Sequence, residues 1–214
     1  MDEERTIIDS NTRSEKIKNL VVNNKKKLIA GFSIILIVII GYLSIKEIKE
    51  QNKIKLANQF NIAKINFKTD DKQTTIDQLI ELIKKNDSTY SPLALYFLID
   101  NKLIDNQNEI NSLFDELISK TSLDYEIKNL IIYKKALLNS DFATESDLLQ
   151  ILNPIINSES IWKSHALYLM AEYFYSKDQK QKSKEFFSQI LLLSNANIDI
   201  KFETEKRLNR DLGE

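Results

Sequence analysis

The 214-residue sequence contains no cysteine, three glycines, two prolines and one histidine. Each scarcity removes a class of protein. Without cysteine there is no disulfide framework, no thiolate metal site and no lipid-carrying export signal, since that lipid is attached through a cysteine. Gly31 and Gly41 lie in one apolar run, and only Gly213 follows it. Tight hairpins and phosphate-cradling loops depend on glycine's left-handed backbone, so neither is expected downstream. The lone histidine, His165, cannot gather the several ligands a metal site needs and is expected as a surface or partly packed helix residue. No serine lies in a G-x-S-x-G elbow or beside a second histidine. The carboxylate pairs Asp70-Asp71 and Asp115-Glu116 are read as helix caps or surface charge, because neighbours on a helix point about 100° apart. An excess of positive charge is missing too. From Lys46 onward there are 23 basic and 26 acidic residues, a net charge of −3, whereas a nucleic-acid surface would show a basic stripe. An enzyme is not expected, nor are nucleic acid, small-molecule substrates, cofactors or metals as partners.

What is present starts with LIAGFSIILIVIIGYLSI, Leu28 to Ile45, eighteen residues without a charge behind the triple lysine Lys25, Lys26 and Lys27. As a helix it is about 27 Å long, close to the hydrocarbon thickness of a bilayer. A buried helix of a soluble domain keeps a polar stripe, but here every face is apolar apart from Ser33, Ser44 and the two glycines. A transmembrane anchor is expected. Because the residues before the run number twenty-seven and its exit has no A-x-A-like site, cleavage is not expected. Six Lys or Arg lie in the twenty residues before the run and five in the twenty after it. Three of the six abut the span, and long domains cross largely regardless of their charge. The expected arrangement is therefore a cytoplasmic tail at 1–27, an anchor at 28–45 and a domain on the far side, which in a bacterium with an inner membrane is the periplasm.

Beyond the anchor, apolar residues recur at helical spacing. Ile76, Leu79, Ile80 and Ile83 make one stripe, and Ile110, Leu113, Phe114, Leu117 and Ile118 another. Polar breaks near 69–72, 86–91, 105–108, 121–124, 140–145, 157–160, 177–180 and 194–199 divide the chain into nine expected helices. The first, 46–68, has no Gly or Pro and is expected to continue the spanning helix as a solvated stalk. With glycine absent, asparagine is expected to take the left-handed positions at helix ends. The fold class is all-α: an N-terminal transmembrane helix followed by helical hairpins.

The clearest hairpin is LYLMAEYFYSKDQKQKSKEFFSQILLL, Leu167 to Leu193. It resembles a tetratricopeptide repeat, two antiparallel helices meeting through small residues and aromatics over a period near 34. Leu167 and Met170 stand at its large apolar sites, Ala171 at the small site of closest approach, Phe174 and Phe187 at its aromatic sites and Ile190 at the next inward site. Asp178, Ser183, Ile190 and Asn195 depart from the family, which has glycine, alanine, alanine and proline there. Weaker copies carry Leu98, Ile110, Phe114 and Leu117, then Ala136, Leu148, Leu152 and Ile155. Leu98, Ala136 and Ala171 are equivalent and lie 38 and 35 residues apart, so 69–214 is expected to be a degenerate tetratricopeptide-like solenoid. The last helix, Ile198 to Leu212, is its expected cap, with Phe202, Glu205, Lys206 and Leu208 on the covering face.

The order of charged tail, span, stalk, degenerate hairpins and a final copy opened by Trp162 resembles the YfgM-type ancillary subunits of the SecYEG translocon. That resemblance implies a non-enzymatic interaction scaffold on the periplasmic side of the inner membrane, with Sec translocon subunits, periplasmic chaperones or client segments as partners and the lipid bilayer held through 28–45. An envelope assembly factor is the alternative. Trp162, Tyr173, Tyr96 and Tyr133 are the candidate partner contacts: Trp162 is read first as packing against the preceding hairpin, and Tyr173 as the exposed member of a group with Tyr168, Phe174 and Tyr175.

Overall fold

A computed structural model describes residues 15–16, 18–69 and 71–212. Among these the chain is helical with no strand. Nine helices follow Asn24: α1 (Lys25–Lys68), α2 (Lys72–Ile83), α3 (Tyr90–Asp100), α4 (Gln107–Lys120), α5 (Tyr125–Asn139), α6 (Glu145–Ile156), α7 (Lys163–Ser176), α8 (Lys180–Leu192) and α9 (Ile198–Asp211). The chain divides into two compact units, Met1–Lys55 and Leu56–Glu214.

The first unit contains the apolar run. Within α1 an eighteen-residue window has a mean hydropathy of 2.7 and none of it is buried against protein. Ile37 and Phe32 are 68% and 70% exposed. The helix is long and apolar enough to cross a bilayer, and no stripe of polar residues marks a face that would prefer water.

In the second unit the expected breaks fall where helices end, and side chains there supply the missing hydrogen bonds. Asp71, Asn106, Asp124 and Asn197 each accept from backbone N–H groups at the start of α2, α4, α5 and α9. Thr144 and Asp147 form a reciprocal capping box on α6. Asparagine thus serves at both ends of helices: Asn106 and Asn197 start α4 and α9, and Asn101 and Asn157 end α3 and α6. Left-handed backbone occurs at Asn86, Lys102 and Asp178, with φ of 54°, 50° and 56°, so only one of the three is asparagine.

The core is a series of clusters, each drawn from neighbouring elements. The first joins Ala63 of α1 to α2, α3, α4 and Ile131 of α5 around Leu79, Leu95, Leu98 and Phe114. The last turns of α1 belong to it: Thr75 donates to the Ala63 carbonyl at 3.3 Å, and Phe60 and Phe67 meet Phe97 edge-on at 6.1 and 5.4 Å. The second cluster unites α5, α6 and α7 around Leu148, Leu152, Met170 and Phe174. The third unites α7, α8 and α9 around Leu167, Phe187 and Ile190. Ile118 packs on the first two clusters, and Ile156 and Phe186 on the last two.

All the residues that carry the hairpin resemblance between Leu167 and Ile190, apart from the turn residue Asp178, are buried. Ala171 and Ala136 lie in the closely packed pairs α7/α8 and α5/α6, where a small side chain lets backbones approach. At the equivalent position before them stands Leu98, and there the closer partner of α3 is α2 instead of α4. Buried Ser91, Pro92 and Ala94 admit α2, with Ser91 donating to the Leu82 carbonyl at 2.9 Å. The covering face of α9 also differs from expectation. Ile200, Thr204, Leu208 and Leu212 recur every four residues and face inward, which turns Phe202 outward to 63% exposure.

Candidate functional surface

Two grooves flank α5. The first, about 430 Å³, lies between α3 and α5, with Phe114 of α4 among its lining residues and Tyr96 on one wall. The Lys134 ammonium sits 4.6 Å from the centre of the Tyr96 ring. The Tyr96 hydroxyl is buried and has no hydrogen-bond partner among the described residues. Burial pushes its pKa up to about 12, with the Asp100 charge adding to the shift. At the mouth, Leu137 is 50% and Phe142 is 78% exposed. Asp100 and Asp141 flank them, both exposed.

The second groove, about 570 Å³, lies between α4 and α6 beside α5. Its polar groups satisfy each other. Asn139 and Asn111 exchange amide hydrogen bonds of 2.8 and 2.9 Å, and the Gln107 amide donates to Asn139 at 3.2 Å. Lys135 pairs with Asp115 at 2.6 Å. Gln107 and Phe142 line both grooves, so the two communicate around the end of α5.

The expected contact residues do not form one surface. Tyr96 lines the first groove. Tyr133 and Trp162 stack on each other instead, with ring centres 5.8 Å apart and planes at 21°, and His165 packs against both. Trp162 is half-buried and joins the second core cluster, which agrees with packing as its first role. The same burial lowers the His165 pKa, with partial compensation from the Ile161 carbonyl, and raises that of Tyr133.

Tyr173 corrects the expectation of exposure. Only 8% of it is accessible, and its hydroxyl donates to the Ala143 carbonyl at 3.1 Å. The physical reason is that α7 is covered on both sides, by α5 and α6 on one and by α8 and α9 on the other. Tyr173 lies on the side of α7 turned into the second core cluster. Tyr168 and Tyr175 are the partly exposed members of the group.

Phe142 and Leu137 are the surface residues that periodicity does not single out. A signal for Phe142 exists: SDFATE sets one large aromatic inside an otherwise polar turn, beside only the small Ala143. Of the carboxylate pairs, Asp70 lies outside the described residues, Asp71 caps α2, Asp115 pairs with Lys135 and Glu116 pairs with Lys120 at 2.8 Å. Among the described residues no three His, Cys, Asp or Glu side chains are grouped to hold a metal. No protein family, curated protein or solved structure matches this chain.

Proposed function

We propose that the protein is a membrane-anchored interaction scaffold whose second unit, a degenerate tetratricopeptide-like array, holds a protein segment beside α5. The observation that carries this reading is the pair Leu137 and Phe142, exposed together at the mouth of a groove in a unit whose other exposed apolar residues lie elsewhere. Exposed apolar groups grouped at a concavity are what a binding surface presents before its partner arrives. The apolar part of α1 supports anchoring, and the lysines at 25–27 support a cytoplasmic tail with the helical unit in the periplasm. Within this proposal the Sec translocon and its associated periplasmic chaperones are the favoured partners, on the strength of the order of tail, span and hairpins.

Crosslinking in intact membranes followed by purification of the full chain tests the reading. Recovery of translocon subunits or periplasmic chaperones supports it. Recovery of envelope-assembly proteins alone moves the protein to the assembly-factor class. A reporter active only in the periplasm, fused after Glu214, is expected to work; a working cytoplasm-only reporter at the same place would remove the proposed location.

A further inference from the structure

We propose that the groove between α3 and α5 takes an extended segment of a partner protein in which an apolar side chain is flanked by positive charge. The inference rests on the scaffold reading and names what that scaffold prefers. Phe142 and Leu137 supply the apolar demand, since both stand largely in water at the groove mouth. Charge supplies the selectivity. Asp100 and Asp141 border the groove against one cation, Lys134, and that ammonium is already drawn over the Tyr96 ring. Around the corner, the second groove adds Asp115 and Asp147 against Lys135, which is held by Asp115 at 2.6 Å. Counting both grooves gives four carboxylates and two ammonium groups, a local charge of −2. Lys135 is held by Asp115 and Lys134 leans over the Tyr96 ring, so the local excess of carboxylates repels an acidic tail, whereas a lysine or arginine meets Asp100 and Asp141. An extended segment fits because Phe142 and Gln107 line both grooves, making one track around the end of α5.

The test uses the full chain in zwitterionic nanodiscs and three labelled short peptides, read by fluorescence anisotropy. One has lysines flanking a leucine and a phenylalanine, one has glutamates in place of the lysines, and one has serines in place of the apolar pair. The basic apolar peptide is expected to bind at least about tenfold more tightly than either of the others. Phe142→Ser is expected to weaken that binding about tenfold with an unchanged melting temperature, because the side chain is exposed in the fold. Asp100→Asn with Asp141→Asn is expected to erase the preference over the acidic peptide. Phe202→Ser, at an exposed apolar residue outside the groove, is expected to leave binding as it was. Equal binding of the basic and acidic peptides, or binding indifferent to Phe142→Ser, overturns the assignment. So does a dimer in sedimentation that Phe142→Ser dissociates, which would make a second copy the occupant. If crosslinked partners are still captured by Phe142→Ser membranes, the scaffold stands and this groove is wrong; if the wild-type chain captures none, the scaffold reading itself fails.

Discussion

Lys102 holds a backbone conformation that suits glycine. Its φ is 50°, in the bend where α3 stops and Leu103 donates back to the Leu98 carbonyl at 2.9 Å. A Cβ in that region is strained by about 1–2 kcal/mol, and glycine's greater freedom in the unfolded chain returns part of the gain. Lys102→Gly is expected to raise stability by about 0.5–1 kcal/mol in urea unfolding; a loss of stability would show that the side chain has a role not visible in its contacts. Asn86 and Asp178 share the conformation, but their short polar side chains tolerate it better. His165 gives a second expectation. Burial beside Trp162 and Tyr133 lowers its pKa, so the unfolded chain binds more protons near neutrality. Its contribution is complete above the unfolded value of about 6.5 and is lost as pH falls below it, down to the folded pKa. The stability difference between wild type and His165→Gln should shrink as pH falls from above the unfolded value of about 6.5 to below it, and a flat difference would count against burial. These positions were only partly legible beforehand. Asparagine was expected at the left-handed helix ends, but which residue turns there depends on where the next helix must pack, and composition carries no record of that.

At the level of helices, the 3.6-residue period and the polar breaks were enough to place the elements, because each helix buries one stripe and the caps are local sequence. Pairing was less legible. Leu98 occupies the slot of Ala136 and Ala171, and a sequence alignment of the three does not show that α3 packs more closely on α2 than on α4. Ala171→Leu tests the close pair directly: Ala171 is wholly buried where α7 and α8 meet, so a larger side chain is expected to overpack and cost about 1–3 kcal/mol. An unchanged melting curve would mean that the two helices can part without penalty. The cap has its own latch. Arg207 of α9 donates through Nε and Nη2 to both oxygens of Glu172 on α7, each at 2.6 Å, pairs also with Asp211, and lies 4.3 Å from the Tyr175 ring centre. Arg207→Met should cost about 1–2 kcal/mol, below the figure for a fully buried pair because the Glu172 side chain is 33% exposed. Amide exchange should quicken across Ile198–Asp211 first. Uniform acceleration through α5 and α6 instead would mean that the latch holds the whole unit.

The three core clusters draw their buried residues from positions between Ala63 and Leu212, so the second unit contains its own core. A fragment from Leu56 to Glu214 is expected to be soluble, helical and cooperative in thermal unfolding, whereas one starting at Lys72 loses Phe60, Ala63 and Phe67 from beneath Phe97 and should melt lower. Equal melting of the two would show that the end of α1 adds nothing to the core. Because each cluster is built mainly from helices that follow one another in the chain, its contacts span short stretches of sequence and loop closure costs little. The consequence concerns how the protein is made. Residues 28–45 leave the ribosome before the helical unit, and as the chain lengthens behind them the first cluster has all its parts before α6 exists, the second its own before α9. The unit can therefore fold in the order of its synthesis, one cluster resting on the last, with little apolar surface waiting for a distant segment.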